Sequence, residues 1–358
     1  MAWPVLNGAS KKRRNQMLSV DLGGRTTKAV LVERRGDVVA LTRFALLDAP
    51  VFDKKISVEL LTSHLREIVQ KLDAQPKSLA LALGLDDTLV KQIELPQIPV
   101  DDMRLVLKNN PKAYLQQDLS GYAFDCHIFI PKIQQKTDPQ APKVTTVPKL
   151  KVLVGGAKQE LLSTFQRAAV GAGLTAQHIL PGLIGPLNTF EVSQPEIFAG
   201  STIALVDIGF KHSSICILDR GELILTRVVN IGGDKLTTGL AESLNISYAE
   251  AEGIKVGMAT EVRTALEMQV QPLGRELRAS IDFFEHQYDR AISQVYVSGG
   301  SAQSQLILEI LHGEMLVDCK AWDPVQFMQM ALPGPQAVEI QHVGPQLTVA
   351  IGTAMAAL

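Results

Sequence analysis

Two separate stretches of the sequence repeat one order of residues. In the first, 19–33, an apolar, β-branched run leads to Asp21, then to a Gly23-Gly24 pair with hydroxyl side chains, and a second alternating run follows Lys28. The second stretch, 203–221, again places Asp-x-Gly between two apolar runs. Alternating runs around a glycine-containing turn predict β-hairpins. The chain therefore has two predicted hairpins with polar tips, each preceded by an aspartate.

The tip of the first hairpin suits a polyphosphate. Glycine lets backbone N–H groups approach an anion, hydroxyl groups donate hydrogen bonds, and Lys28 supplies a point charge. Asp21 ends the first strand, and Mg²⁺ prefers one or two carboxylates together with phosphate oxygens. For this stretch alone, an ordinary hairpin with a solvated turn remains the alternative.

A later strand completes a larger pattern. Val295 to Ser298 is predicted to be a strand that ends in Gly299-Gly300-Ser301 and runs into a helix. Two Asp-x-Gly hairpins followed by a strand ending in Gly-Gly is the pattern of the actin-like ATPase fold, which actins, sugar kinases and heat-shock chaperones share. In that fold two similar halves hold a nucleotide between them, with one hairpin from each half at the phosphates. The internal repeat carries this prediction, because either hairpin alone is a weak signal.

Length, charge and cysteine content narrow the class of protein. A chain of 358 residues predicts two or more domains. The formal net charge of −2 provides no strong field for nucleic acid, so we expect no nucleic-acid partner. Three widely spaced cysteines without metal-ligand spacing predict reduced, buried thiols in a cytoplasmic protein. They are Cys126, Cys216 and Cys319.

The N-terminal segment 1–16 is basic, with the run Lys11-Lys12-Arg13-Arg14. Only Met17 to Val20 separate it from Asp21, which is too short an apolar core for a signal peptide. We interpret it as a disordered leader; a weak contact with anionic lipid is an alternative, since each basic residue contributes about 1 kcal/mol near such a surface. No apolar run is long enough to span a bilayer.

The region between Leu85 and His178 reads as a unit of its own. Its pattern predicts the order β-α-β-β-α, with a helix after Asp101 that Pro111 should end or kink. The polar stretch from Pro131 to Lys149 predicts a long loop between two strands. We therefore expect an inserted subdomain within the first half.

A helix is predicted from Tyr248, because Ser247 and Glu250 have the spacing of a capping box. Glu252 and Lys255, three residues apart, then share one face of this helix. Two interpretations stay open for this pair. It is either a solvent-exposed ion pair of small energetic value or a clamp for the ribose hydroxyls and the adenine of a nucleotide.

These motifs together resemble the PilM family, the cytoplasmic actin-like proteins of type IV pilus assembly platforms, and more distantly the cell-division protein FtsA. The resemblance runs from Met17 to the C-terminus. It is carried by the two hairpins, Ile93-Glu-Leu-Pro96, Tyr114-Leu115 with Asp125, Arg227 to Gly233 with Leu236-Thr237, Ala251-Glu252-x-x-Lys255, Leu277 to Glu285, Tyr296 to Gly300 and Asp323-Pro324. The chain ends at a packing helix, without the amphipathic membrane anchor typical of FtsA, which favours the PilM family.

The resemblance implies an α/β fold: the two-lobed actin-like ATPase (ribonuclease-H-like) fold with an FtsA-type inserted subdomain 1C. The predicted boundaries are 1–16 for the leader, 17–84 and 179–200 for the first half (1A), 85–178 for the insert (1C), 201–229 and 291–358 for the second half (2A), and 230–290 for subdomain 2B.

The resemblance also implies ATP and Mg²⁺ as cofactors, with Asp21 and Asp207 flanking the metal ion. Phosphates would be held by Gly23, Lys28, Gly209, Ser213 and Ser214, and the nucleoside side would be lined by Glu252, Lys255, Gly299 and Gly300. Further candidates for nucleotide contact are Gly24, Thr26, Thr27, Gly232, Gly233 and Ser301. His212 either touches phosphate or is a solvated turn histidine.

One departure from the family concerns hydrolysis. The segment after the insert reads Leu180-Pro-Gly-Leu-Ile-Gly185, where family members commonly carry acidic residues. In actin-like ATPases this segment often supplies the residue that positions the attacking water. We therefore expect nucleotide binding with weak or absent ATPase activity.

By resemblance the protein is a nucleotide-bound scaffold, peripheral to the inner membrane, which binds the short N-terminal tail of a PilN-like membrane protein, other pilus platform proteins and the motor ATPase. The expected groove lies around Ile93 to Pro99 and the helix after Asp101. Apolar residues there either line the groove or fill the core of the insert; they are Met103, Leu105, Val106 and Leu107. Two other functions stay open: a filament-forming cytoskeletal protein and an active phosphotransferase of the same fold.

Overall fold

The structure is a computed structural model that describes residues 15–36, 38–129, 149–257 and 262–358. The predicted leader, apart from residues 15 and 16, and the predicted loop 131–149, apart from Lys149, lie outside the described residues. The described strands form three sheets. In chain order they are β1 Gln16–Leu22, β2 Thr26–Arg35, β3 Val38–Asp48, β4 Ser78–Leu83, β5 Thr88–Pro96, β6 Tyr122–Ile128, β7 Lys149–Lys158, β8 Thr175–Pro181, β9 Thr202–Ile208, β10 Ser213–Asp219, β11 Glu222–Val229, β12 Gln294–Gly299, β13 Cys319–Ala321 and β14 Gln329–Met330.

The described α-helices cover the faces of these sheets. In chain order they are α1 Val58–Lys71, α2 Val100–Asn109, α3 Pro111–Leu115, α4 Gln159–Gly171, α5 Gly185–Ser193, α6 Pro195–Gly200, α7 Gly233–Leu244, α8 Tyr248–Gly257, α9 Arg263–Tyr288, α10 Gln305–Met315, α11 Gly334–Val343 and α12 Thr348–Ala357.

The sheet of the first half has the strand order β14-β3-β2-β1-β4-β8. Successive residues of a strand point to opposite faces, and here both faces are covered. Leu18 and Val20 pack under α1 and α4, whereas Met17, on the opposite face of β1, packs with α12. This accounts for the near-continuous apolar runs of β1 and β2, because strands buried on both faces need no polar alternation.

The sheet of the second half has the order β11-β10-β9-β12-β13. The hairpin β9–β10 pairs in register from Ser213 with Ile208 to Asp219 with Thr202, and β12 lies parallel to β9. Helices α7 to α10 cover one face. The other face packs against α5, α6 and the side chains Phe129 and Leu153 of the insert. The two halves and the insert therefore share one apolar core around α5.

The insert has its own three-stranded sheet, β5-β7-β6, with α2 and α3 on one face. It is smaller than predicted. Helix α4 packs on α1, with Phe165, Ala168 and Ala169 in the first-half core, and β8 pairs with β4. The predicted boundary at 178 is therefore wrong, because these elements bury their apolar faces on the first-half sheet; the insert ends near Lys158.

The C-terminal segment also belongs elsewhere than predicted. β14 pairs with β3, and α12 packs on β1, β4 and α5 of the first half. The helices α5 and α12 touch closely: a Cβ at Gly185 would lie 2.8 Å from Val349 Cα. Small residues on both helices allow this contact, so residues from 329 onward return to the first half instead of staying in the second half as predicted.

Candidate functional site

The first hairpin holds a carboxylate and an ammonium group together at its tip. Asp21 and Lys28 are opposite each other in the register of β1 and β2, and Lys28 Nζ lies 3.1 Å from Asp21 Oδ2. A side chain at Gly23 would come within 2.5 Å of Lys28 Nζ. The Cβ of such a side chain would also lie 2.6 Å from the Thr26 carbonyl, which belongs to the backbone of the turn and cannot move aside as the lysine can. This contact explains the glycine at this position.

The two threonines of this hairpin have different roles. Thr27 is fully buried, and its hydroxyl lies 2.8 Å from His64 Nε2 on α1. Burial lowers the pKa of His64, partly opposed by the charge of Glu67. The predicted contact between the Thr27 side chain and phosphate is therefore wrong, because the alternation of the strand turns it towards α1. Thr26, one residue earlier, is half-buried and points to the other face.

The second hairpin places its aspartate near the first. Ser298 Oγ donates a hydrogen bond of 2.8 Å to Asp207 Oδ1. Burial raises the pKa of Asp207; Ser298 and Lys28 oppose the rise, and the negative charge of Asp21 adds to it. The tips of the two hairpins also touch, because a Cβ on Gly24 would lie 3.3 Å from Phe210 Cδ1. The two hairpins therefore face the same space, as the internal repeat predicts.

The side chains after this aspartate are less available than predicted. Gly209 N–H donates to the His212 carbonyl at 3.0 Å and forms the tight turn. Ser213 is fully buried, and its hydroxyl donates to the Ile231 carbonyl at 2.6 Å, while Ser214 is buried beside β9. The Ser213 hydroxyl is thus used inside the fold, contrary to its predicted phosphate contact.

His212 lies at the edge of the site. Its Nε2 is 2.9 Å from Asp86 Oδ2, in the single helical turn between β4 and β5. The ring therefore pairs with a carboxylate at the start of the insert instead of standing free in a solvated turn, and the alternative contact with phosphate stays a prediction.

Three glycine-containing turns meet beside Asp207. Gly233 N–H donates to the Gly209 carbonyl at 2.8 Å, which joins the 230–234 segment to the second hairpin. Gly299 has φ +92°, in the left-handed region that favours glycine, and a Cβ there would collide with the Ile208 carbonyl. Ser301 Oγ lies 3.1 Å from where a Cβ of Gly233 would be. The predicted residues Gly209, Gly233, Gly299 and Ser301 therefore lie close together. Gly232 directly precedes α7, and Gly300, which is exposed, follows Gly299.

Glu252 and Lys255 form a pair that is largely removed from solvent. The Lys255 side chain is 3% exposed and the Glu252 side chain 29%, and Nζ lies 2.9 Å from Oε2. Lys255 also donates to Thr237 Oγ1 at 2.8 Å. Burial alone raises the pKa of Glu252, but hydrogen bonds from Lys255 and Thr237 outweigh it and the pKa is lowered. The interpretation as a solvent-exposed pair is therefore wrong.

Sequence reasoning missed Arg25, which lies between Gly24 and Thr26 at the tip of the first hairpin. Its guanidinium carbon is 5.9 Å from the ring centre of Phe210 and 5.6 Å from that of Tyr248, and its NH1 is 3.6 Å from Glu252 Oε2. Nothing in the local sequence identifies these partners, because all of them come from the second half of the chain.

The residues present fit a magnesium ion held jointly with a nucleotide. Across the described ranges, no three histidine, cysteine, aspartate or glutamate side chains converge in a metal-binding arrangement. Asp21 and Asp207 supply two carboxylates, the number that Mg²⁺ takes when water and phosphate oxygens complete its shell. The carboxylate with the raised pKa, Asp207, is also the one that a nearby cation would stabilise in its charged form.

Residues 180–185, at the end of β8 and directly after it, are apolar and have apolar surroundings. Leu180, Leu183 and Ile184 are buried in the core shared by both halves. Gly182 lies against the Leu83 carbonyl, 2.8 Å from where its Cβ would be. Neither Gly182 nor Gly185 has room for a longer side chain, so residues 180–185 direct no acidic group towards the two hairpins.

A separate groove opens between the insert and the first half, with 520 Å³ of empty space that includes its mouth. It runs between β8, an edge strand of the first sheet, and β6, an edge strand of the insert. Its walls combine apolar and polar side chains. They include Phe124, Asp125, Leu162, Gln177, His178 and Ile179.

A second concave surface lies at the predicted position beside the helix after Asp101. Leu105 is 54% exposed and lines this surface together with Arg104 and Tyr122. Met103 and Leu107 are fully buried in the core of the insert, so the alternative interpretation holds for these two residues. The structure therefore places a concave surface on α2, as predicted, whereas residues 93–99 line neither this surface nor the groove between β6, β7 and β8.

None of the helices in the described part of the chain is both long enough and apolar enough to cross a membrane.

The sequence profile of the family described as "Type IV pilus assembly protein PilM" matches residues 19–358. The chain belongs to this family. The resemblance seen in the sequence is thereby confirmed.

Solved structures share the fold of this chain. A structure titled "PilM-PilN type IV pilus biogenesis complex" matches with a TM-score of 0.78 and 21% identity over 96% of this chain and 99% of that chain. The ethanolamine utilization protein EutJ from Carboxydothermus hydrogenoformans matches with a TM-score of 0.56 and 17% identity over 98% of this chain and 92% of its own. The fold is the actin-like ATPase fold, as the two hairpins predict.

Proposed function

We propose that this protein is an ATP-binding scaffold of a type IV pilus inner-membrane assembly platform, and that it binds the N-terminal tail of a PilN-like membrane protein. One observation carries this proposal. Asp21, Lys28 and Asp207 lie with the glycine turns at Gly209, Gly233 and Gly299 between the two halves. A second concave site, the groove between β6 and β8, is lined by other residues.

The cleft between the hairpins offers the chemistry that a triphosphate needs. Lys28 and the glycine turns at Gly23 and Gly209 would hold phosphate oxygens, and Asp21 and Asp207 would hold the magnesium ion. The ion, when bound, would neutralise phosphate charge. Glu252 sits on the nucleoside side, where its lowered pKa keeps it ionised and able to accept hydrogen bonds from ribose hydroxyls.

Hydrolysis is proposed to be slow or absent. The buried, apolar segment 180–185 presents no carboxylate to orient a water molecule, and positioning of that water is a main part of phosphoryl-transfer catalysis. Turnover on the order of 1 s⁻¹ or faster, typical of a working enzyme, would favour the alternative of an active phosphotransferase.

The groove between the insert and the first half suits an extended peptide. Both β6 and β8 are edge strands of the described sheets, so their outer N–H and C=O groups can pair with an added strand. Leu162 and Ile179 offer apolar contact, while His178 and Asp125, which pairs with Arg104, add polar groups to the lining. The similarity to a solved PilM–PilN complex supports a tail of this kind, which would bring the protein to the cytoplasmic side of the inner membrane. Other platform proteins and the motor ATPase complete the proposed set of partners.

The nucleotide half of the proposal is tested by calorimetric titration with ATP in Mg²⁺ and in EDTA. We expect ATP binding that weakens when the metal is removed. Absence of binding in Mg²⁺ would contradict the cleft assignment. The same titration with Asp219→Asn is a control. Asp219 lies at the end of β10 that is farther from the cleft, where it pairs with Arg290.

The partner half is tested with a synthetic N-terminal tail of the PilN-like protein. Leu162→Arg, on the groove side of α4, should weaken tail binding, whereas Val170→Arg on the same helix should not, because Val170 is 73% exposed and outside the groove lining. Circular dichroism and ATP affinity verify that each variant is folded. Equal tail affinity for both variants would contradict the groove assignment.

A further inference from the structure

Arg25 crosses from one half of the molecule to the other. It lies in the turn between β1 and β2, yet its charged group contacts Phe210 in the second hairpin and Tyr248 and Glu252 on α8. All three partners belong to the second half or its subdomain 2B. Separation of the halves would therefore break every one of these contacts at once.

The hairpin tips themselves are in contact at this point. A Cβ on Gly24 would lie 3.3 Å from Phe210 Cδ1 and 3.5 Å from Lys211 Cγ. The guanidinium carbon of Arg25 lies 5.9 Å from the ring centre of Phe210 and 5.6 Å from that of Tyr248, and a planar guanidinium stacks on ring faces better than an ammonium can. Its contacts therefore connect the tip of the first hairpin with the Glu252 side of the cleft.

The side that receives Arg25 is held in place by its own hydrogen bonds. Tyr248 donates its hydroxyl to Asp234 Oδ1 at 2.9 Å, at the start of α7. Glu252 accepts a hydrogen bond from Lys255 at 2.9 Å. Because these hydrogen bonds hold Tyr248 and Glu252 in place without Arg25, little ordering of their side chains is needed when the contact with Arg25 forms.

We propose that Arg25, with Phe210, Tyr248 and Glu252, is a clasp that holds the two halves together over the cleft and sets how long a nucleotide stays bound. This inference rests on the proposed nucleotide cleft. It assigns Arg25 a role through closure and not through direct contact with phosphate, because its three contacts are two rings and a carboxylate.

The size of the effect follows from the contacts. Cation–π contacts at exposed sites and exposed ion pairs are each modest, and the Arg25 side chain is 46% exposed. Their combined loss predicts about a tenfold shift towards the open form, which corresponds to about 1.4 kcal/mol.

The first experiment measures dissociation of a fluorescent ATP analogue by stopped flow. Arg25→Ala should release it about tenfold faster, and Phe210→Leu should release it faster by a smaller factor, because it removes only one of the three contacts of Arg25. Phe210→Tyr should match the wild type because it keeps the ring, and Arg25→Lys should be intermediate. ADP and ATP analogues should be affected equally. A normal rate for Arg25→Ala, a normal rate for Phe210→Leu, or an effect restricted to ATP would overturn the clasp.

The second experiment measures closure without nucleotide. Nitroxide labels at Glu67→Cys on α1 and Met268→Cys on α9, both exposed, report the distance between the halves in a Cys319→Ser background. Arg25→Ala should broaden the distance distribution towards longer values; an unchanged distribution would overturn the proposal. If the wild type fails to bind ATP, the proposed function fails, and this distance measurement still decides the clasp.

Discussion

The Glu252–Lys255 pair gives a prediction whose direction depends on tertiary burial. The two residues are not equivalent, because the Lys255 side chain is 3% exposed and the Glu252 side chain 29%. Removal of Glu252 leaves an ammonium group that water cannot reach. Removal of Lys255 leaves a carboxylate that keeps the Thr237 hydroxyl and some solvent. We therefore expect Glu252→Ala to destabilise the protein more than Lys255→Met.

The magnitude follows from what each variant leaves behind. A buried ion pair that loses one partner costs about 3–5 kcal/mol. Lys255 keeps two neutral acceptors after Glu252→Ala, Thr237 Oγ1 at 2.8 Å and the Gly233 carbonyl at 3.4 Å, which reduces the expected loss to about 2 kcal/mol. Lys255→Met keeps the aliphatic packing of the side chain, and we expect a loss of about 1 kcal/mol or less.

The assay is hydrogen exchange of the backbone amides in α7 and α8, measured by mass spectrometry without nucleotide, together with urea unfolding. Local exchange is informative here because a two-lobed chain need not unfold in a single step. Exchange should accelerate in the order wild type, Lys255→Met, Glu252→Ala. Equal or greater acceleration in Lys255→Met would refute the reasoning from burial. Thr237→Val, which removes the shared hydroxyl, provides a further comparison.

Three other predictions concern the cleft and its supports. Asp207→Asn should weaken ATP binding by about tenfold or more in Mg²⁺ but little in EDTA, as measured by calorimetry. The folded-state pKa of His64 is lowered below 6.5. The stability that comes from its neutral form is therefore present above pH 6.5 and lost as the pH falls. The urea midpoint should drop less between pH 7.5 and 5.5 in His64→Asn than in the wild type. Gly185→Glu, which adds an acidic residue to the connecting segment, should cost about 2 kcal/mol of stability by overpacking against Val349 and should not yield fast ATP turnover.

The sequence alone determined the parts of this protein that depend on local pattern. The order of apolar runs, Asp-x-Gly and hydroxyl residues predicts both hairpins, and the repeat of that order predicts the actin-like fold. The convergence of Asp21, Lys28, Asp207 and Gly299 follows once that fold is recognised, because corresponding turns of the two halves face each other. The break at Pro111 was equally readable, since proline limits the backbone wherever it occurs, and α2 indeed ends at Asn109 before α3 begins at Pro111.

The tertiary structure decided which apolar face meets which partner. Periodicity shows that α4 and α12 each bury residues, but it carries no information on the sheet that covers them, so both helices were assigned to the wrong unit. The same limit explains the groove, because an edge strand is defined only after all pairings are known. It also explains Lys255 and Thr27, whose burial depends on residues distant in the chain.

Arg25 illustrates the difference most directly. In the sequence it is an arginine in a polar turn, for which solvent exposure is the ordinary expectation. Its three contacts come from positions 210, 248 and 252, between 185 and 227 residues later. Side-chain chemistry fixed what Arg25 can bind, a carboxylate and aromatic faces. Only the packing of the two halves brought those groups to it, because contact between distant segments is set by the whole fold.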